Sequence, residues 1–211
     1  LQEDISAMED VQLLPITGTK TITEACNKAL EAVASPYVCF INSSDSWYPT
    51  KAERQLNELE ADLSAPACIC NGYRRMSSTD AADSSLIFTR AETNPAHFLN
   101  TDQFLLSSQV VYRTQALKEI GGFDSALFSR WDQDALIRLS GEGVLRFIAD
   151  PLFDNKTVYA PDPLTDYRSL HHLMRKHYDI LLKNRKQYFR IVHKCSCYCN
   201  PLALPSRKLI R

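Results

Sequence analysis

Short runs of β-forming residues alternate with segments of helical periodicity along most of this 211-residue chain, and this alternation constrains the fold most strongly. The clearest strand is 37–41, a continuous apolar run typical of the centre of a sheet. Segments 21–33 and 131–139 each carry one apolar helical face. The pattern therefore predicts an α/β domain with a mostly parallel sheet flanked by helices.

The remaining segments complete this prediction. Further strands are expected at 11–16, 67–73, 109–112, 144–148 and 152–159, and further helices after Pro49 and at 114–120. The helix after Pro49 is expected to bury Ala52, Leu56, Leu59 and Leu63. Cys68 and Cys70 are expected on one face of a buried strand. Because ligands bind beyond the carboxyl ends of strands in such sheets, the polar loop 42–48 is the expected site of chemistry.

Charge is distributed unevenly along the chain. Residues 168–211 contain 11 Lys and Arg residues and one acidic residue, although the whole chain has a net charge of −1. The net charge near zero argues against nucleic acid as a partner, and the asymmetry predicts an acidic domain over 1–167 and a basic helical extension over 168–211. The apolar face of the extension is expected to lie on an anionic membrane surface, against the acidic domain, or against a partner in a homodimer. This face comprises Leu170, Leu173, His177, Ile180 and Leu181.

Cysteine usage bears on the cellular compartment. The chain has seven cysteines and starts without a hydrophobic leader segment, which predicts reduced thiols in the cytoplasm. The basic extension adds the expectation of a peripheral position at the inner face of the membrane. Cys195, Cys197 and Cys199 are spaced more closely than the usual C-x2-C pairs of zinc sites, so they are interpreted as incidental rather than as ligands.

Four segments carry a recognisable series of motifs. Segment 24–30 reads Glu-Ala-Cys-Asn-Lys-Ala-Leu, and segment 37–49 joins an apolar strand to a polar loop, an aromatic residue and a proline. Segment 111–124 joins an arginine and a short helix to a Gly-Gly-Phe-Asp turn, and 132–138 begins with Asp-Gln-Asp. In their order and spacing these segments resemble the family 2 glycosyltransferases, which have the GT-A fold, over roughly residues 11–168.

The resemblance implies an enzyme that transfers a sugar, with inversion, from a nucleotide-diphosphate donor. The acceptor would be a hydroxyl of a glycan or a lipid-linked acceptor in surface polysaccharide or glycolipid synthesis. Asp132 is the implied catalytic base, in a first helical turn whose dipole favours the ionised form; a helix cap is the alternative. Asp45 is the implied ligand of Mg²⁺ or Mn²⁺ at the diphosphate, and a cap of the helix after Pro49 is its alternative.

Further residues are implied in donor binding by the same resemblance. They are Asn27, Asn42, Ser44, Asp45, Gly122, Trp131, Arg168 and His171. Apart from Asp45, structural alternatives stand beside four of them, and that of His171 is a packed or solvated side chain. Asn27 is equally suited to bonding loop backbone, Gly122 to ending a helix, and Trp131 to packing in the core.

The sequence also departs from the family pattern. The loop 42–45 reads Asn-Ser-Ser-Asp, with one carboxylate where three acidic positions are expected, and Trp131 replaces the glutamate that usually precedes the base. The family's first nucleotide-binding strand is not recognisable before Val11, so it is expected upstream or absent. These departures support a second hypothesis, a non-catalytic GT-A-like module that binds a glycan or partner within a longer polysaccharide-synthesis protein. A nucleotidyltransferase is a third, without a Gly-rich phosphate loop to support it.

Overall fold

Helices and strands follow one another in an order close to the predicted one. The computed structural model describes residues 14–75, 84–86, 98–99, 107–155 and 162–199. The helices are α1 (Ile22–Ala32), α2 (Lys51–Ala61), α3 (Thr114–Glu119), α4 (Trp131–Leu139), α5 (Pro163–Lys176), α6 (Tyr178–Lys183) and α7 (Arg185–Cys199). The strands are β1 (Tyr37–Cys39), β2 (Ser46–Trp47), β3 (Ala67–Arg75), β4 (Ser84–Leu86), β5 (Val110–Arg113) and β6 (Arg146–Asn155).

The strands form one mixed sheet. Its order in the described ranges is β1-β5-β3-β6-β2, with β4 paired to β3. Of the described pairings only β3–β6 is parallel. The α/β class is confirmed, but the expectation of a mostly parallel sheet is wrong. Apolar runs locate strands without giving their direction, and β5 runs against both of its neighbours.

Strands β1 and β3 differ both in their position in the sheet and in the burial of their side chains. β1, predicted to be central, lies at the end of the described strand order, where Cys39 is exposed. β3 lies between β5 and β6, and both Cys68 and Cys70 are fully buried there, as predicted. The two strands that were predicted separately over 144–159 form the single strand β6 as far as Asn155. The predicted strand 11–16 lies partly outside the described residues, and 14–16 form no strand.

Helix α2 buries polar side chains that its apolar pattern did not predict. Leu59 is buried as expected, but Leu63 is exposed, and Lys51 and Gln55 are fully buried. Lys51 Nζ donates to Gln55 Oε1 at 2.6 Å and lies 4.1 Å from the centre of the Trp47 ring. Burial lowers the pKa of Lys51. The contact of Lys51 with Trp47 holds the start of α2 against β2.

The basic C-terminal region packs on the sheet domain. α5 is continuous across the predicted boundary at 167/168, and the predicted long helix is divided into three at His177 and Asn184. Leu170, Leu173 and Leu181 belong to the hydrophobic core. The apolar face predicted for a membrane therefore faces the domain, as one of the alternatives stated. Among the described helices, none combines the length and apolar character that a bilayer-crossing segment requires.

Candidate active site

Asp45 and Asp132 flank the same pair of serines. Ser108 Oγ donates to Asp45 Oδ2 at 2.6 Å, and Ser107 Oγ lies 3.4 Å from Asp132 Oδ2. Both serines are buried in the 3₁₀ turn Ser107–Gln109, which leads into β5. Because the two serines are consecutive, the structure brings the predicted metal ligand and the predicted base to one place at the start of this strand.

Asp45 is held by side chains from three parts of the chain. In addition to Ser108, Asn155 Nδ2 at the end of β6 donates to Asp45 Oδ1 at 2.8 Å, and Asn42 Nδ2 donates to Oδ2 at 3.3 Å. The backbone N–H of Asn42 in turn donates to Ser108 Oγ at 3.2 Å. Ser44 is exposed in the same loop. Asp45 thus orders the loop, and the structure shows no bond by which it would cap α2.

The surroundings of Asp45 do not fit a preformed Mg²⁺ or Mn²⁺ site. Such cations require several oxygen ligands, whereas both oxygens of Asp45 already accept hydrogen bonds from N–H or O–H donors. Within the described ranges, no three His, Cys, Asp or Glu side chains form a potential metal cluster. One acceptor position remains on Asp45 Oδ1, because a carboxylate oxygen can accept two hydrogen bonds.

The carboxyl group of Asp132 is buried and has few hydrogen-bond partners. Asp132 is 6% exposed, and its Oδ1 accepts no hydrogen bond. Burial raises the pKa of Asp132 well above its usual range, and the weak bond from Ser107 opposes this only in part. A carboxylate with a raised pKa is a stronger proton acceptor, which is the property that a general base needs. Its side chain forms no capping bond to α4.

Asn27 and Gly122 build the Gly-Gly-Phe-Asp turn. Asn27 Oδ1 accepts from Phe123 N and Asn27 Nδ2 donates to Phe123 O, both at 2.8 Å. Gly122 N donates to Leu117 O at 2.9 Å and ends α3. Arg138 donates to the carbonyl of Gly122 at 2.7 Å. Both predicted donor-binding residues are therefore engaged in the structural alternatives that were stated for them.

Replacing Gly122 with alanine is expected to destabilise this turn strongly. Gly122 has a φ of 69°, and an added Cβ would lie 2.5 Å from Asn27 Oδ1. Gly121 is a matched control, because its φ is 79° but an added Cβ meets no atom within 4 Å. We expect Gly121→Ala to cost about 1 kcal/mol of unfolding free energy and Gly122→Ala about 2–3 kcal/mol, measured by denaturant unfolding. Equal losses would contradict the Asn27 contact.

Phe123 of the same turn is surrounded by aromatic rings. Its centroid lies 5.2 Å from Phe40, 6.0 Å from Tyr112 and 4.6 Å from Trp131, each with edge-on geometry. Trp131, the first residue of α4, is thus part of the packed interior along one edge and is partly buried. This cluster fixes the start of α4, and with it the adjacent Asp132.

Arg168 and His171 lie on the exposed face of α5. They line a groove of about 770 Å³. The groove lining comprises Asp124, Tyr167, Arg168, His171, His172, Arg175 and Lys176. Lys176 donates to Asp124 at 2.6 Å. The groove is predominantly cationic, because one carboxylate faces two arginines and a lysine.

Two polar contacts that the sequence did not reveal attach α5 and α6 to α4. Arg130, directly before α4, contacts Asp166 of α5 at 2.6 Å with both side chains buried. Asp134 lies 2.8 Å from His177 Nε2 between α5 and α6. Burial by itself raises the pKa of Asp134, but its bonds with His177, Arg138 and Lys176 outweigh this and hold the pKa below its usual range. Asp134 is therefore a structural carboxylate.

Comparison with known structures identifies the fold. S. aureus TarS in complex with UDP-GlcNAc matches with a TM-score of 0.62 and 14% identity, covering 99% of this chain and 60% of TarS. A second TarS structure matches with a TM-score of 0.56 and 12% identity, covering 96% and 68%. The mannosyltransferase PcManGT from Pyrobaculum calidifontis, in complex with GDP-Man and Mn²⁺, matches with a TM-score of 0.50 and 16% identity, covering 92% and 55%.

The sequence comparisons are negative. No protein-family model matches the chain, and no curated protein matches it in sequence. The chain spans 60% of the UDP-GlcNAc complex of TarS and 55% of the mannosyltransferase. With identities of 12–16%, the structural matches establish the architecture. The protein has the GT-A-like fold of glycosyltransferases.

Proposed function

We propose that this protein is a glycosyltransferase that moves a sugar, with inversion, from a nucleotide-diphosphate donor to a hydroxyl of a glycan or a lipid-linked acceptor. The observation that carries the proposal is the meeting of Asp45 and Asp132 on the adjacent Ser108 and Ser107. It is supported by the fold, which is shared with structures that contain UDP-GlcNAc or GDP-Man. Synthesis of a surface polysaccharide or glycolipid at the cytoplasmic side of the membrane is the corresponding role.

In the proposed reaction Asp132 acts as the general base. Its carboxylate takes the proton of the acceptor hydroxyl while the acceptor oxygen bonds to the anomeric carbon of the donor. The bond between that carbon and the diphosphate oxygen breaks, and the nucleotide diphosphate leaves on the opposite side, so the configuration inverts. The acceptor hydroxyl also supplies the hydrogen bond that the buried carboxylate lacks.

Binding of the donor is assigned to the loop after β1 and to α5. Asn42, Ser44 and the remaining acceptor position of Asp45 are proposed to bond hydroxyl groups of the ribose or sugar. Arg168 and His171 are proposed to face the diphosphate. Because the residues at Asp45 do not fit a cation, the negative charge of the leaving group is assigned to the cationic groove on α5, which lies among exposed arginine and lysine side chains.

Calorimetry with UDP tests the proposed function directly. An enzyme of this kind is expected to bind UDP, whereas the rival hypothesis, a non-catalytic GT-A-like module, predicts no binding with or without Mn²⁺. Besides the departures of the sequence from the family pattern, the nearly complete burial of Asp132 favours the rival. The absence of UDP binding in the folded protein would contradict the proposal.

Ser108→Ala tests whether the serine pair organises the donor site. The substitution removes the 2.6 Å hydrogen bond to Asp45 and leaves the N–H of Asn42 without its partner. A hydrogen bond to a charged group contributes about 1.5–3 kcal/mol, so we expect the affinity for UDP to fall by about tenfold or more. Ser140→Ala is the control, because Ser140 Oγ bonds a carbonyl at the far end of α4. An unchanged affinity for UDP in Ser108→Ala would show that the position of Asp45 does not matter for donor binding.

A further inference from the structure

Helices α6 and α7 expose a compact group of apolar side chains. Tyr178 is 45% exposed, Leu182 54% and Phe189 66%. The aromatic rings form a continuous series: the ring centroids of Tyr178 and Tyr188 lie 6.4 Å apart, and those of Tyr188 and Phe189 lie 6.0 Å apart. Leu182 lies one helical turn after Tyr178. Exposed apolar residues are common when scattered, but a contiguous group of this kind marks an interaction surface.

Exposed cations surround these apolar side chains. We name the combined surface the aromatic–basic patch, which comprises Tyr178, Leu182, Lys183, Arg185, Lys186, Tyr188, Phe189 and Arg190. On α7, residues three and four positions before Phe189 are Lys186 and Arg185, so both lie on the same helical face as its ring. Asp179 is the one acidic residue of the 168–211 region.

The buried side of the same helices differs from the patch. Leu181 of α6 and Ile191 of α7 are fully buried in the core, and Gln187 is buried beside them. The patch is therefore the outward face of helices whose inward face is already packed. It is also distinct from the apolar face that the sequence predicted for a membrane, which lies in the core.

We propose that the aromatic–basic patch binds the surface of an anionic phospholipid membrane. Aromatic side chains favour the interface between headgroups and acyl chains, where an apolar ring is buried and a polar edge stays hydrated. Lysine and arginine beside them are attracted to anionic headgroups, and the two contributions add in interfacial helices. The order of residues along α7, with two cations one turn before an exposed phenylalanine, supplies both.

Two other occupants agree less well with the patch. In a symmetric dimer the same surface would meet itself, so Arg185, Lys186 and Arg190 would face their own copies. A long polyanion such as RNA would also approach the acidic part of the chain at 1–167, where acidic residues exceed basic ones. A flat lipid surface contacts one face of the protein and avoids both conflicts.

The patch is connected to the helix that carries the proposed base. Tyr178 directly follows His177, which lies 2.8 Å from Asp134 of α4. Asp134 is two residues after Asp132 on that helix. Membrane contact would thus hold α4 at a fixed orientation to the lipid surface, from which a lipid-linked acceptor could reach Asp132. In this one respect the inference rests on the proposed function.

Vesicle sedimentation of the full chain tests the proposal. The probes are vesicles of phosphatidylcholine alone and of phosphatidylcholine with about one third phosphatidylglycerol. We expect the protein to pellet with the anionic vesicles at low salt and to detach at high salt, because exposed charges are screened. Removing both cations in R185Q/K186Q should weaken binding roughly 30-fold, and Phe189→Ser roughly tenfold. Leu63→Ser is the control, because Leu63 is exposed far along the chain from the patch.

Each other outcome would overturn the inference. These outcomes are no pelleting at low salt, equal binding to neutral vesicles, and unchanged binding in both patch variants. Concentration-dependent dimers that Phe189→Ser abolishes, or an RNA oligonucleotide that binds at the patch in place of vesicles, would assign the surface to another partner. UDP calorimetry on the same preparations separates the two proposals, since vesicle binding without UDP binding contradicts only the proposed enzyme, and the reverse contradicts only the membrane surface.

Discussion

Asp132→Asn is expected to abolish sugar transfer while leaving the protein folded. Asparagine has the shape of aspartate but cannot accept a proton, so the acceptor hydroxyl would lose its base. General-base contributions are typically about 10²- to 10⁴-fold in rate, and we expect kcat to fall within that range or below detection. UDP affinity should be unchanged, because Asp132 is assigned to the acceptor side. The measurements are transfer kinetics and UDP calorimetry on the same variant.

The pH dependence of stability provides an independent measurement on the same side chain. The unfolded chain releases the Asp132 proton near pH 4, whereas burial raises the pKa in the folded protein. Between those two values folding retains a proton, so the contribution of Asp132 to stability falls as pH rises. Asparagine does not titrate. Asp132→Asn should therefore gain stability relative to the parent protein as the pH is raised above about 4.

The control for Asp132→Asn is Asp179→Asn, since Asp179 is exposed on α6. It should preserve the rate of transfer. Transfer at the parental rate in Asp132→Asn would show that another group accepts the proton. A stability difference that does not vary with pH would show that burial does not raise the pKa of Asp132.

The sequence predicted the elements of this fold better than their arrangement. Alternating apolar patterns located α1, α4 and the buried strand β3, because a helix or strand must bury one face wherever it lies. Strand direction and order are set by contacts between distant segments. β1 was predicted to be central from its continuous apolar composition, yet it lies at the end of the described strand order, next to β5, and Cys39 is exposed.

The candidate site was likewise predicted in part: some of its residues, but not the contacts that join them. Asp45 and Asp132 were recognisable because they follow motifs of fixed spacing, and the structure places them together. Ser107 and Ser108, which join them, have no periodicity or charge to mark them, and Asn155 is 110 residues from Asp45. For Asn27 and Trp131 the sequence allowed either a donor-binding role or a structural one, because it does not reveal which backbone group or ring a side chain contacts.

Asp166→Ala is expected to destabilise the protein strongly. Asp166 forms two hydrogen bonds with Arg130, Nε to Oδ1 at 2.6 Å and Nη2 to Oδ2 at 2.9 Å. The side chains are 3% and 0% exposed. Truncation would leave the guanidinium buried without its counterion, which typically costs about 3–5 kcal/mol. Urea unfolding measures the loss, and α5 and the helices after it should open first.

Asp150→Ala is the matched control for this ion pair. Asp150 contacts Arg54 at 2.6 Å, the same distance, but the two side chains are 65% and 42% exposed. Water and salt screen such a pair, so its loss should cost less than about 1 kcal/mol. Burial is then the variable that separates the two substitutions. A similar small cost for both would show that the Arg130–Asp166 pair does not attach α5 to the start of α4. A large cost for Asp166→Ala with loss of UDP binding would show that this attachment also maintains the site around Asp132.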